Sequence, residues 1–388
     1  MSRFTGRLAA APIAILAGTP ALAVDETFET EGTSIHVQTV ADGLSHPWAL
    51  AFLPDGSMLV TERPGTLRRV TAEGEISGPI AGVPEVDARD QGGLLDVALD
   101  PDFGQNRLVY LSYAEAGDGG NGTAVARGVL GEDQAALSDV EVIFRQQPKA
   151  DSTKHFGSRL VFDGQGHLFV TLGERSEEEF RGQAQDLNSH LGKIVRIHPD
   201  GSVPEDNPFV GQDGALPEIW SYGNRNVQAA AINPETGVLW EIEHGPKGGD
   251  EINIVQPGAN YGWPVVSHGV NYDGTIVGSG EAHAEGMVDA IWTWTPVIAP
   301  SGMTFYGGAA FPEWQGDLFV GGLAATALVR LELDGDSVTR EERLLESLGL
   351  RIRDVVEGPD GALYLVTDEG NGEVLRVTPG DGSDQAAD

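Results

Sequence analysis

Six polar positions stand out because each comes just ahead of a short apolar segment. They hold His46, Gln91, His155, Arg225 with Asn226, Ser301, and Arg351 with Arg353. The apolar segments that follow cover residues 48–52, 94–99, 160–162, 227–232, 303–305 and 355–356. If these positions meet, they form one cationic pocket in a chain whose net charge is −35 and which has only 24 lysines and arginines. Guanidinium forks match carboxylates two bonds at a time, so three arginines point to an anionic, carboxylate-bearing ligand. A histidine beside fixed cations loses its proton more readily, and a neutral imidazole can serve as a base. His155 is the candidate for that role, and His46 reads as structural. Taken singly, Arg351 and Arg353 could pair with Asp354 or Glu357, and Arg225 with a local acid. A second constellation runs from His244 through Gly245, Pro246, Lys247 and Asp250 to Glu251, followed by Asn260, Tyr261 and Trp263. Its turns expose backbone carbonyls beside carboxylates, and hard oxygen ligands of that kind suit calcium.

The elements that must gather these residues come from a repeat. A turn with Asp or Pro and Gly, followed by an aliphatic run, occurs six times. The runs are residues 58–60, 108–110, 168–170, 238–240, 318–320 and 363–365. A phrase recurring at long intervals in a strand-rich chain signals a radial array of sheets. The expected fold is all-β, a six-bladed β-propeller, in which the position ahead of each inner strand faces one mouth of the axial channel. Residues 37–40 are expected to form an outer strand that closes the ring against the last blade. Further strands are expected at 66–70, 193–197, 252–255, 328–331 and 373–377. Long insertions at 174–190, 199–216 and 261–289 are expected to build the binding face. Gly117, Gly119 and Gly122 match a G-x-G-x-x-G pattern, but the strand expected next excludes a dinucleotide-binding βαβ unit and leaves a hairpin loop. The sequence contains no nucleophile elbow, Walker loop, H-E-x-x-H or zinc-type spacing.

Composition agrees. The 388 residues include 53 glycines and 22 prolines, as many tight turns require. Residues 1–23 read as a secretory signal: Arg3 and Arg7, an apolar run over 8–17, and Ala21-Leu22-Ala23 as the cleavage site. Removing them leaves about 60 residues per blade, enough for a four-stranded sheet. The expected organisation is a leader over 1–23, one propeller domain over 24–380 and a frayed polar tail over 381–388. The chain has no cysteine, so no disulfide contributes. The acidic balance disfavours nucleic acid and anionic membranes, and no apolar run in the mature chain is long enough to span a bilayer.

These segments together resemble the soluble PQQ-dependent aldose sugar dehydrogenases, six-bladed propellers of the glucose/sorbosone dehydrogenase family related to soluble quinoprotein glucose dehydrogenase. The matching stretches are residues 91–98, 155–162, 218–226, 243–246, 249–254, 260–264, 301–306 and 351–355. The resemblance implies a periplasmic oxidoreductase that converts an aldose to its lactone by hydride transfer to PQQ, with His155 as general base. It implies cofactor or substrate contacts at Gln91, Arg225, Asn226, Tyr272, Gly322, Leu323, Ala324, Arg351 and Arg353. The carbonyls of Gly245 and Pro246 would hold a calcium ion at the quinone, and Glu251 with the Tyr261 carbonyl a further calcium ion. Electrons would pass to an external acceptor, with a periplasmic cytochrome as one candidate. An arginine-lined pocket suits PQQ, which is a tricarboxylate.

Two departures bear on this expectation. The family usually has lysine where Ala324 stands, and Lys154 or Lys247 could supply the missing charge. Val227 and Ala229 replace the family's proline and glycine as packing changes. A non-catalytic propeller binding a sugar or another ligand stays open because of Ala324. A calcium-dependent lactonase would instead need carboxylates converging on an axial metal.

Overall fold

The repeated phrase folds as a tight turn feeding the second strand of each sheet. In the first copy Asp55 Oδ1 accepts from the Ser57 backbone N–H at 3.0 Å and its hydroxyl at 2.6 Å, while Gly56 takes φ +82°. Only glycine adopts that conformation without strain. Asp360 with Gly361, at φ +76°, repeats the device in the last copy.

The computed structural model describes residues 23–380. The expected leader, apart from Ala23, and the expected tail over 381–388 lie outside the described residues. Six antiparallel sheets form the blades of a propeller. Blade 1 has three strands, Pro47–Phe52, Met58–Glu62 and Thr66–Val70. The inner strands of blades 2 to 6 are Leu94–Leu99, Leu160–Phe162, Val227–Ile232, Pro300–Phe305 and Ile352–Glu357. The glycine-rich segment at 117–122 is a hairpin, with Gly117 opposite Gly120, as the strand pattern predicts.

Six apolar clusters sit between consecutive blades. Leu59 and Leu111 meet between blades 1 and 2, Val125 and Val170 between 2 and 3, and Ile194 and Ala230 between 3 and 4. Trp240 and Val320 belong to the cluster between blades 4 and 5, Trp314 and Leu365 to that between 5 and 6, and Val366 and Val60 to the one that returns from 6 to 1. Each sheet is therefore buried on both faces by its neighbours.

The ring is closed by Ser34–Leu44, which pairs antiparallel with Gly372–Pro379 and places Val37 opposite Val377. This strand is longer than the 37–40 expected, and Asp25–Glu29 adds a fifth strand outside it. Both valines are fully buried. Val37→Ala should lower stability by about 2 kcal/mol, since deleted core methyls leave a cavity between strands that cannot collapse. The midpoint of urea unfolding reports this.

At the axis one guanidinium reaches every blade. Arg159, on blade 3, pairs with Asp96 of blade 2 at 3.0 Å and Asp354 of blade 6 at 3.3 Å. It donates to the Gln228 carbonyl of blade 4 and the Ser301 carbonyl of blade 5, and lies 4.6 Å over the Trp48 ring of blade 1. Asp354 is thus committed to Arg159. Arg351 and Arg353 do not pair with it or with Glu357; both use Asp368 instead. No helix among the described residues is long and apolar enough to cross a membrane.

Candidate active site

Loops and strand starts at one mouth of the channel enclose a cavity of about 380 Å³. Its lining includes Gln91, His155, Arg225, Asn226, Tyr272, Leu323, Arg351 and Arg353 from the sequence expectation, with Trp48, Arg63, Asp90, Gln228, His244, Ala299 and Asp368 beside them. Trp48, stacked on Arg159, forms part of the floor. Tyr272 is 72% exposed and stands at the rim, on the 261–289 insertion.

His155 is held from three sides. Gln91 Oε1 accepts its backbone N–H at 2.9 Å, and its backbone takes the left-handed φ of +51°. Its ring Nδ1 lies 2.8 Å from Glu174 Oε1. An ionised carboxylate can only accept, so Nδ1 carries the hydrogen and Nε2 keeps its lone pair. Glu174 is itself fixed: its other oxygen accepts the Ser176 N–H at 2.6 Å, and its own N–H donates to the Arg225 carbonyl at 2.9 Å. The preceding Gly173 is required here, because a Cβ on it would stand 2.0 Å from the His155 carbonyl oxygen. Burial, followed by the nearby Arg225 charge, holds the His155 imidazole below the usual histidine range, although Glu174 opposes this. The result is a neutral imidazole, 6% exposed, with a free acceptor nitrogen. His244 is depressed further by burial, with Arg225 and His155 adding to it.

The cations have partial partners. Arg351 Nη2 and Arg353 Nη2 share Asp368 Oδ2 at 2.9 and 2.8 Å. Arg351 Nη1 donates to the Leu323 carbonyl and Arg353 Nη1 to Gln228 Oε1. Arg225 Nη1 donates to the carbonyls of His244 and Gly245, each at 2.9 Å. Arg225 Nε and Arg353 Nε are buried donors without a protein partner. A buried unsatisfied donor costs about 1–3 kcal/mol, so these two fit a ligand rich in acceptor oxygens. Asn226 uses its Oδ1 to fix the Gly157 N–H at 3.0 Å.

Gly245, Pro246, Glu251 and Tyr261 gather in an adjoining recess, with Arg225 and His244 lining both spaces. Glu243 also lines it, and the buried Glu241 is nearby in the same strand. Burial pushes Glu243 up to about 7. Burial raises Glu251 well above the carboxylate range, and repulsion from Glu243 adds to it. Glu241 Oε2 has no partner. Carboxylates crowded beside the one guanidinium of Arg225 fit a divalent ion with oxygen ligands, although no group of three His, Cys, Asp or Glu side chains among the described residues is arranged to hold one, so backbone carbonyls would have to complete the site.

Several expected positions fall elsewhere. Ser301 does not reach the cavity; its hydroxyl donates to the Gly321 and Ile352 carbonyls within the core. His46 is likewise outside the lining. Gly322 is buried behind Leu323, while Ala324 is exposed and off the cavity. Lys154 and Lys247 are exposed and do not line it either, so neither supplies a cation in place of the missing lysine. Sequence reasoning missed Glu174, Asp368 and Arg63. The available signal was positional: Glu174 and Asp368 each come directly or closely after a second strand of a blade, Leu168–Leu172 and Leu363–Thr367.

A family model described as Glucose / Sorbosone dehydrogenase matches residues 44–376. The chain is 48% identical over 364 residues to Aldose sugar dehydrogenase YliI of Escherichia coli strain K12, covering 93% of this chain and 97% of that protein. The apo-form crystal structure of the soluble E. coli aldose sugar dehydrogenase superposes with a TM-score of 0.86 at 49% identity, over 89% of this chain and all of that one. The PQQ-bound aldose sugar dehydrogenase of Streptomyces coelicolor gives a TM-score of 0.73 at 30% identity, over 88% and 98%. With a family match across the whole propeller and relatives of this similarity over nearly their full length, the chain belongs to the glucose/sorbosone dehydrogenase family of oxidoreductases acting on sugars.

Proposed function

We propose that this protein oxidises aldose sugars at the anomeric carbon to lactones, using PQQ and calcium. The observation that carries this is the pairing of a neutral, carboxylate-anchored His155 with two incompletely satisfied guanidiniums around one cavity. When bound, PQQ accepts the hydride that leaves the anomeric carbon, and calcium polarises its carbonyl as a Lewis acid.

The chain's own residues do the rest. His155 Nε2 takes the proton of the anomeric hydroxyl as the C–H bond breaks, leaving the C=O of the lactone. Glu174 keeps the ring in the accepting tautomer and stabilises the imidazolium that forms. Gln91 fixes the His155 backbone. Arg225, Asn226, Arg351 and Arg353 bind the cofactor's acceptor oxygens, with Tyr272 at the rim and the 322–324 loop alongside. The Gly245 and Pro246 carbonyls would hold the calcium; the Gly245 carbonyl also accepts from Arg225 Nη1 and has a second lone pair to offer. Glu251 and the Tyr261 carbonyl hold a further calcium ion. The two electrons leave to an external acceptor, and the leader over 1–23 would deliver the protein to the periplasm.

A lactonase is less well supported, because Asp368 is already neutralised by two arginines. Apoprotein mixed with PQQ, calcium, an aldose and a redox dye should bleach the dye. Failure to bind PQQ at micromolar concentration would favour a propeller that only binds a ligand.

Calcium should also raise the melting temperature by several degrees, as a ligand held by the native state alone must. The sign with pH follows from the carboxyls. Their folded-state affinities for protons are raised, so the stability they contribute is present at low pH and lost as pH rises toward about 7. Protons and calcium compete for the same oxygens, so the calcium-induced rise should be larger at pH 8 than at pH 5.5. Glu251→Gln should remove most of it in a thermal unfolding scan.

A further inference from the structure

We propose that Arg63 is a further cofactor-binding residue, pairing from blade 1 with a carboxylate of PQQ; this rests on the proposed PQQ chemistry. The cavity is lined by four guanidiniums and two carboxylates, Asp90 and Asp368. Asp368 is taken by Arg351 and Arg353. Arg225 is committed to two backbone carbonyls. Arg63, like Arg225, has no ion pair among the described residues, and its one side-chain hydrogen bond goes to the neutral backbone carbonyl of Asp90. The Asp90 carboxylate instead accepts the Thr153 hydroxyl at 3.0 Å.

The position of Arg63 is fixed although its charge is unpaired. It follows Met58–Glu62, its N–H donates to the His46 carbonyl at 3.0 Å, and its carbonyl accepts the Leu94 N–H at 3.0 Å. The backbone is thus pinned between blades 1 and 2 while the half-buried side chain lies in the cavity wall. Burial makes the Arg353 guanidinium easier to deprotonate, and the neighbouring charges of Arg351 and Arg63 add to this. Asp368 pairs with Arg351 and Arg353 but not with Arg63, so the Arg63 and Arg353 guanidiniums repel each other unless an anion joins them. A carboxylate placed there gains a charge-assisted bond from each. Blade 5 offers no cation for that anion, since its residues in the cavity lining are Ala299 and Leu323 and the exposed Ala324 is outside it.

The test is equilibrium binding of PQQ in the presence of calcium, followed by tryptophan fluorescence or calorimetry. Wild type, Arg63→Ala, Arg63→Met and Arg63→Lys would each be titrated with PQQ and with its trimethyl ester. A lost charge-assisted pair corresponds to about a tenfold to hundredfold weaker Kd. Arg63→Ala and Arg63→Met should both show this for PQQ. Arg63→Lys should recover part of it, as a point charge without the fork. The ester should bind the wild type and Arg63 variants alike. Unchanged PQQ affinity in Arg63→Met, or an equal loss for acid and ester, overturns the proposal. Melting temperatures of the apoproteins identify any loss due to misfolding, and Arg63→Met, which keeps the stem, gives the answer if Arg63→Ala does not fold. If wild-type protein binds no PQQ, the functional reading itself falls and this inference with it.

Discussion

His155→Ala should reduce aldose turnover by about two to four orders of magnitude, the span general-base catalysis contributes, while PQQ binding persists. Glu174→Gln is the more informative partner. Glutamine has one acceptor oxygen for two donors, the Nδ1 hydrogen and the Ser176 N–H, so the negative charge is gone and the hold on the tautomer is weakened. A loss of about a hundredfold is expected, because the imidazolium formed during proton transfer is no longer stabilised. The pH profile separates these roles. The His155 imidazole already sits below the usual histidine range through burial and then Arg225. Wild-type kcat/KM should therefore fall on the acid side only below about pH 6.5, where an ordinary histidine would titrate. Glu174 is among the groups that raise the His155 proton affinity. Removing its charge should move the acid limb to still lower pH. A limb that moves upward, or a Glu174→Gln enzyme with full activity, contradicts the assignment of Glu174 as the positioning residue.

Arg159→Met should destabilise the propeller by about 3–5 kcal/mol, because it strands two buried carboxylates at the axis. Asp96 and Asp354 are 3% and 2% exposed, and among the described residues Arg159 is the one cation paired with both. Burial already pushes Asp96 up to about 6 despite Arg159. Without the guanidinium both acids would take protons near neutrality, so the variant should recover stability as pH is lowered. The triple variant Arg159→Met, Asp96→Asn, Asp354→Asn removes the stranded charges and should regain much of the loss. Because Arg159 also stacks on Trp48 in the cavity floor, Arg159→Met should weaken ligand binding as well. Urea unfolding of both variants and the wild type measures this. Equal stability for Arg159→Met and wild type would mean that the axial ion cluster does not hold the blades.

The blades were legible because their chemistry is local. Turns such as Asp55-Gly56 before Met58–Glu62 announce a strand in a few residues; the inner strands of blades 2, 3 and 4 start at Leu94, Leu160 and Val227 as the repeat implies, while those of blades 1, 5 and 6 start slightly earlier, at Pro47, Pro300 and Ile352. The polar ring was legible for a related reason, since Gln91, His155, Arg225, Asn226, Arg351 and Arg353 all lie near an inner-strand start and line the cavity. Ser301 shares the offset but not the role: a short hydroxyl reaches only its neighbouring carbonyls. Side-chain partners on neighbouring strands and blades were not legible. Glu174 meets His155 from the end of the next strand, and Asp368 meets Arg351 and Arg353 from across a hairpin, contacts set by packing and not by spacing. Arg159 reads as one more strand arginine, yet it touches all six blades. The ring closure was placed correctly but too short, because exposed Asp42 and Gly43 hide the continuation of Ser34–Leu44 to its buried end.

The most direct measurement of the central claim is anaerobic reduction of the PQQ- and calcium-loaded protein by an aldose, watched in the cofactor's absorbance, with ordinary sugar and with sugar deuterated at the anomeric carbon. The account predicts reduction of the cofactor, formation of the lactone, and a slower rate for the deuterated sugar. A loaded protein whose cofactor spectrum is unchanged by any aldose, or one that releases lactone with no change in the cofactor, would contradict it.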